Sequence, residues 1–132
     1  RVPDGPHGPT GVLRVTGGPP DHWPGVKVRR FSHDWSDYRT LEFDVRVVIA
    51  PGDRVPMSLR LDDFLGTREN RGARLGFFAD RRWRTVRFEL PGAMLADGTR
   101  PLDTSDLDLI LVYLPRPQAP VVFELDNFRV RR

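Results

Sequence analysis

The chain closes on the stretch VVFELDNFRV, residues 121–130, which alternates apolar and polar side chains until Asp126 and Asn127 interrupt the alternation. A period of two is what a half-buried β-strand requires, because successive side chains point to opposite faces of a sheet. Asp and Asn are unfavourable inside strands, so we expect a compensating feature here, either capping of backbone amides or a bound cation. The stretch predicts a β-strand with one face on a core.

Seven further segments carry the same strand signal. The 13 prolines and 12 glycines interrupt the chain so often that no apolar pattern of helical period lasts three turns. The predicted strands cover residues 12–15, 26–29, 41–48, 57–62, 74–78, 83–90 and 107–114. Segment 107–114 is apolar on both faces, which is typical of a central strand covered on both sides. About eight strands separated by turn signals predict an all-β fold, an antiparallel β-sandwich of the jelly-roll type.

Length and composition limit the classes of protein. With 132 residues the chain is expected to form one module, residues 1–132, in which the Pro/Gly-rich residues 1–11 are an extended lead-in. The sequence has no initiator Met or signal peptide, so we expect a segment excised from a longer protein with attached domains. It contains no cysteine, so disulfide and thiolate chemistry are absent. No apolar run approaches the roughly 18 residues of a membrane-spanning helix, and direct membrane insertion is not expected.

The charge pattern argues against nucleic acid as a partner. The chain carries 21 basic residues, all arginine except Lys27, but 18 acidic residues are interspersed and the net charge is only +3. A nucleic-acid-binding domain would show a contiguous basic stripe. Guanidinium groups suit bidentate capture of carboxylates or sulfates, whereas the alternative explanation is a coding bias toward arginine.

The sequence shows no catalytic motif. The histidines His7, His22 and His33 lack the spacing of a zinc protease, and there is no nucleophile elbow, phosphate loop or dinucleotide fingerprint. Asp62 and Asp63 cannot act together as a glycosidase pair, because adjacent strand residues point to opposite faces. Catalysis is therefore not expected.

Seven segments, taken in order, resemble one family pattern. They are residues 11–15, 23–26, 34–45, 59–63, 83–88, 101–103 and 123–127, which read GVLRV, WPGV, DWSDYRTLEFDV, LRLDD, WRTVRF, PLD and FELDN. Their order and spacing resemble galactose-binding-like jelly rolls. That family includes the carbohydrate-binding modules of glycoside hydrolases and polysaccharide lyases, and related bacterial envelope domains, some beside VanZ-like membrane segments.

The resemblance implies a non-catalytic carbohydrate-binding module that targets a larger protein to a polysaccharide or oligosaccharide. It also implies an extracellular or periplasmic location, as a module of a secreted or membrane-attached bacterial protein. The alternative is a structural or protein-interaction domain of an envelope protein with no sugar ligand, since one fold hosts many functions.

The resemblance also implies a structural calcium ion. In that family an Asp of the last strand often helps to bind calcium together with oxygens of the N-terminal segment. The matching residue is Asp126, and Asp4 is a second candidate by its place near the N-terminus. The alternative role of Asp126 is the capping of backbone amides.

Two groups of residues are candidates for sugar binding, because sugar rings stack on aromatic side chains and their hydroxyls pair with Asp, Asn and Arg. The first group follows the outward face of strand 57–62 and comprises Arg60, Asp62, Phe64, Arg68, Asn70, Arg71 and Arg74. The second group is aromatic and comprises Trp23, Trp83 and Tyr113. If the basic residues line one groove, an acidic polysaccharide is the expected ligand. The alternative is a solvated face whose arginines pair with nearby acids.

Overall fold

The computed structural model describes residues 12–19, 24–28, 34–65 and 72–132, which fold into two packed antiparallel sheets. The strands are β1 Leu13–Gly17, β2 Gly25–Val28, β3 Thr40–Ile49, β4 Arg54–Asp63, β5 Ala73–Asp80, β6 Arg84–Glu89, β7 Leu107–Tyr113 and β8 Val121–Arg131. The first sheet has the order β1-β8-β3-β6 and the second sheet the order β2-β7-β4-β5. The predicted all-β jelly roll of about eight strands is confirmed. In these residues no helix is long and apolar enough to cross a membrane.

One core lies between the two sheets, because alternate residues of the strands point inward except where a register shift interrupts the alternation. Phe43, Val45 and Phe123 of the first sheet and Leu59 and Leu61 of the second sheet are all fully buried. Burial of an apolar side chain of this size contributes about 1.5–3 kcal/mol. The alternation seen in the sequence is therefore the pattern that builds the sandwich.

A β-bulge explains the interrupted alternation in the last strand. The pairing of β3 with β8 shifts register between Glu42 and Asp44, where Asn127 and Phe128 together oppose Phe43. Asn127 has a φ of 55°, a left-handed conformation that asparagine adopts more readily than most residues. The extra residue returns Phe128 to the core side, where its ring stacks on that of Phe43 with centroids 5.0 Å apart.

Strand β7 is the predicted central strand. It lies between β2 and β4, and its inward residues Ile110 and Val112 belong to the core. On its other face Leu109, Leu111 and Tyr113 are also buried, with only 4–8% of their surface exposed. Both faces of β7 are therefore covered, as its continuous apolar sequence indicated.

The long connection from β6 to β7 is anchored to the end of β4 by a buried carboxylate. Asp63 has no exposed side-chain surface and accepts two hydrogen bonds from Arg100, at 2.7 and 2.8 Å. It also accepts the amide hydrogens of Asp103 at 2.8 Å and Leu65 at 3.1 Å. Asp63 therefore holds the connection in place, whereas its neighbour Asp62 points to the opposite face.

Candidate functional site

The outer face of the second sheet brings together most of the described residues that the sequence singled out. Strand register places its side chains in rows that cross the four strands. Two neighbouring rows are Gly25–Tyr113–Ser58–Gly76 and Lys27–Leu111–Arg60–Arg74. Arg60, Asp62 and Arg74, predicted as one group, thus share this face with Tyr113 of the aromatic group.

The middle of the outer face is an apolar floor. It consists of Leu109, Leu111 and Tyr113, whose side chains point away from the core yet are at least nine-tenths buried. The register settles which side Tyr113 occupies, a point that the sequence left open. Because only 5% of Tyr113 is exposed, its ring belongs to the floor and does not offer a free stacking surface.

A polar ridge runs along β4 beside this floor. Arg60 donates from Nη2 to Oδ2 of Asp62 at 3.0 Å, and its Nε lies 3.0 Å from Oδ1 without hydrogen-bond alignment. About a fifth of each side chain is exposed, 19% for Arg60 and 21% for Asp62. Gly72, with a φ of 76°, lies so close that an added Cβ would be 2.3 Å from Oδ1 of Asp62. The ridge therefore presents a donor and an acceptor side by side in a constrained position.

Beyond the ridge, the outer face is open above β5. A Cβ added at Gly76 would meet no atom within 4 Å. Two residues further along the same face, Phe78 is 57% exposed, and the guanidinium of Arg54 lies 4.3 Å from its ring centroid. Ser58 and Gly76 thus form a row of small residues between the larger side chains of Arg60 and Arg74 on one side and the exposed ring of Phe78 on the other, and we call this row the trough.

Ser58, Gly76 and Phe78 were not identified from the sequence. A glycine in a strand often marks a site where another molecule approaches the backbone closely, and this was the available signal for Gly76. Phe77 and Phe78 are adjacent, so the alternation alone did not show which of the two rings faces outward. The register shows that Phe78 pairs with Pro56 on the outer face.

The remaining candidates lie elsewhere. Trp83 directly precedes β6 of the first sheet, and its ring is 4.8 Å from the guanidinium of Arg46, so it does not belong to the outer face of the second sheet. Phe64 follows the end of β4 and is 53% exposed. Four predicted ligand residues, Trp23, Arg68, Asn70 and Arg71, lie outside the described residues.

The outer face of the first sheet carries charges that neutralise one another. Glu124 is fully buried between Arg14 at 2.9 Å and Arg46 at 2.7 Å. Glu42 forms ion pairs of 3.0–3.2 Å with Arg87, Arg129 and Arg131. Burial raises the pKa of both glutamates, but the arginines outweigh burial and lower each pKa below its ordinary value. Glu42 and Glu124 are therefore committed to internal partners.

Asp126, the predicted metal ligand, lies on the same face opposite Asp44 of β3. Both residues are at least nine-tenths buried. Oδ1 of Asp44 accepts a hydrogen bond from Thr85 at 2.7 Å, whereas Oδ2 of Asp126 has no hydrogen-bond partner within the described residues. Those residues contain no cluster of three or more His, Cys, Asp or Glu that could hold a metal ion. Asp4 lies outside them.

Comparison with solved structures shows the same jelly-roll fold in carbohydrate-binding modules and agarases. An agarase, AgWH50C, superposes with a TM-score of 0.72 and 17% identity over 91% of this chain and 20% of its own. An exo-β-agarase gives a TM-score of 0.71 and 18% identity over 96% of this chain and 21% of its own. A third similar structure is the family 11 carbohydrate-binding module of Clostridium thermocellum in complex with a β-1,3-1,4-mixed-linked tetrasaccharide. It gives a TM-score of 0.65 and 17% identity over 92% of this chain and 84% of its own.

The chain thus spans about a fifth of each agarase and most of the binding module. No family model matches the sequence, and no curated protein matches it. At sequence identities of 17–18%, this similarity shows a shared fold and no more.

Proposed function

We propose that this domain binds carbohydrate without catalysis, on the outer face of the second sheet. The observation that carries the proposal is the open trough above Ser58 and Gly76, which lies between the Arg60–Asp62 ridge and the exposed ring of Phe78. A jelly roll with a bound mixed-linked tetrasaccharide is among its structural neighbours.

The chemistry of the trough suits a sugar chain. Sugar rings present apolar faces that pack against an aromatic ring, and Phe78 offers one with more than half of its surface exposed. Sugar hydroxyls both donate and accept hydrogen bonds, and the ridge supplies a guanidinium at Arg60 and a carboxylate at Asp62. Because these groups are fixed by the sheet, little conformational entropy is lost on binding.

The ligand would be an acidic polysaccharide, such as a uronate polymer, and the domain would target a larger protein to it. Arg74 and Arg54 lie beside the trough and Lys27 lies at the far end of the neighbouring row, whereas Asp62 is already paired with Arg60. Tethering raises the local concentration of the attached domains at the polymer without any chemistry from the module. Such a role fits an extracellular or periplasmic location.

Replacing Gly76 by valine will abolish binding while leaving the fold intact. The new side chain would fill the trough, yet it meets no atom within 4 Å of its Cβ. Valine also suits a strand better than glycine, so we expect the free energy of unfolding to rise by about 0.5–1 kcal/mol. Calorimetric titration with alginate, polygalacturonate, xylan and mixed-linked β-glucan oligosaccharides measures the loss, and urea denaturation measures the stability.

The matched control is Gly52→Val, because Gly52 also has no neighbour within 4 Å but lies in the turn between β3 and β4. This variant should bind as the wild type does. Unchanged affinity in Gly76→Val would show that the sugar does not bind in the trough. If the wild type binds none of the polymers, the proposed function is wrong and the alternative, a structural or protein-interaction domain of an envelope protein, takes its place.

We further propose that Asp126 contributes to a structural calcium site. The buried Oδ2 without a partner supports it, because an uncompensated buried carboxylate is costly and a cation would satisfy it. Calcium at millimolar concentration should raise the melting temperature, and Asp126→Ala should remove that rise. Asp97→Ala, which removes an exposed carboxylate far along the chain, is the control and should keep it. A melting temperature that chelator and calcium leave unchanged would exclude a structural ion.

A further inference from the structure

A groove of about 470 Å³ lies between β5 and β6, the adjacent edge strands of the two sheets. Its apolar lining includes Leu75 and Phe77 of β5 and Val86 of β6. Phe78 lines the groove as well, although it pairs with Pro56 on the outer face of the second sheet. The groove is therefore continuous with the trough proposed to bind sugar.

The charged lining of the groove has an excess of positive charge. It contains three arginines, Arg54, Arg84 and Arg87, and one carboxylate, Asp80. Arg84 and Asp80 neutralise each other through contacts of 2.7 Å from Nη2 and 3.2 Å from Nε. Arg54 and Arg87 have no carboxylate partner within the groove lining.

Neither Arg54 nor Arg87 uses all of its hydrogen-bond donors within the described residues. Arg54 stacks on Phe78 and forms no ion pair with any residue that the structure describes. Arg87 donates from Nε to Glu42 at 3.2 Å, and its two Nη groups have no partner in the described part of the chain. Arg87 is also 68% exposed, so these groups are accessible from the groove.

We infer that the groove between β5 and β6 binds the carboxylate or sulfate group of an acidic sugar residue, an assignment that rests on the proposed function. A polysaccharide lying across the outer face and leaving over β5 passes Phe78 and enters the groove. Its ring packs on Phe78, and its anionic group lies between Arg54 and Arg87. Guanidinium groups bind carboxylates and sulfates by paired hydrogen bonds, whereas a neutral sugar offers them only hydroxyls.

The test compares polymers that differ only in charge. The probes are oligogalacturonate and its methyl ester, and carrageenan oligosaccharides and their desulfated form. The variant Arg54→Gln/Arg87→Gln removes the two guanidinium groups that have no carboxylate partner in the groove lining. Arg82→Gln is the control, because Arg82 lies in the turn that joins β5 to β6, is exposed, and is absent from the groove lining. Dissociation constants are measured by calorimetry at low and physiological salt.

We expect the wild type to bind the charged member of at least one pair about 10-fold more tightly than the neutral member, a preference that two exposed charge pairs acting together can supply. The double variant should lose the preference and still bind the neutral member, whereas Arg82→Gln should keep the preference. Equal binding of charged and neutral members, or a preference that survives in the double variant, would overturn the groove assignment alone. Binding of none of the four probes would overturn the groove assignment, and the proposed function falls with it only if xylan and mixed-linked β-glucan oligosaccharides do not bind either.

Discussion

Replacing Asp63 by alanine will lower the free energy of unfolding by about 3–5 kcal/mol, the usual cost of breaking a buried ion pair. The carboxylate has no exposed side-chain surface and receives four hydrogen bonds, two from Arg100 and two from backbone amides. Alanine would leave all of these donors without their acceptor. The connection between β6 and β7, which Asp63 ties to β4, should then detach from the end of the sandwich.

The same carboxylate makes stability depend on pH. Burial raises the pKa of Asp63, but the hydrogen bonds from Arg100, Asp103 and Leu65 outweigh burial and hold the pKa below its ordinary value. A group whose pKa is lower in the folded state stabilises the fold fully above its unfolded pKa of about 3.9. That contribution is lost as the pH falls through the folded value. The free energy of unfolding of the wild type should therefore fall below about pH 4, and less steeply in Asp63→Ala.

Urea denaturation at pH 7 and across the acid range measures both effects. Asp97→Ala is the matched control, because Asp97 lies in the same connection and bonds Thr99 at the surface. It should cost less than about 1 kcal/mol, as exposed polar contacts do. Arg100→Lys should fall between the two, since lysine keeps the charge but not the paired hydrogen bonds. An Asp63→Ala variant as stable as Asp97→Ala would contradict the assigned role.

The contrast between Asp62 and Asp63 shows which structural features the sequence predicts and which it does not. Alternation placed Asp62 on the polar face of β4, and the register confirms that position. It could not reveal the partner of Asp63, because Arg100 lies 37 residues away in a segment without periodic pattern. Local periodicity predicts which way a strand residue points, but partners across irregular connections depend on tertiary packing.

The candidate site was predicted only in part, because it also depends on contacts between distant segments of the chain. Arg60 and Asp62 follow from the alternation of β4, whereas the trough depends on Gly76 of a different strand that pairs with Ser58. The sequence made Trp83 a candidate for stacking on a sugar at the start of a strand, and only the sheet order places it away from the outer face of the second sheet. Strand pairing decides which residues share a surface, and a single sequence does not encode it in any local signal.

Replacing Phe43 by alanine will also cost about 3–5 kcal/mol, as removal of a buried phenylalanine usually does. Phe43 is fully buried at the centre of the sandwich. Its ring meets that of Phe77 edge to face, with centroids 5.8 Å apart, and stacks on Phe128 at 5.0 Å. The ring therefore joins β5 of the second sheet to the bulged part of β8 in the first sheet.

A second variant, Phe128→Ala, tests the contact with Phe43 that the bulge of β8 makes possible. Phe128 is 37% exposed, so Phe128→Ala should cost about 1–2 kcal/mol less than Phe43→Ala. Because the two rings are in contact, their effects should not add, and a double-mutant cycle should give a coupling of about 0.5–1.5 kcal/mol. Additive losses would mean that the stacking seen between the rings contributes nothing to stability.

The loss of Phe43 should be felt on the opposite side of β5. Phe77 packs inward on Phe43, while its neighbours Gly76 and Phe78 form part of the trough, so the ring supports the edge strand that the proposed ligand would contact. We expect amide hydrogens of β5 to exchange faster in Phe43→Ala than in Phe128→Ala, and sugar affinity to fall with them. If Phe43→Ala lowers stability but leaves amide exchange along β5 unchanged, the structural change caused by the lost ring is confined to the first sheet. The Phe43 ring would then not support the trough.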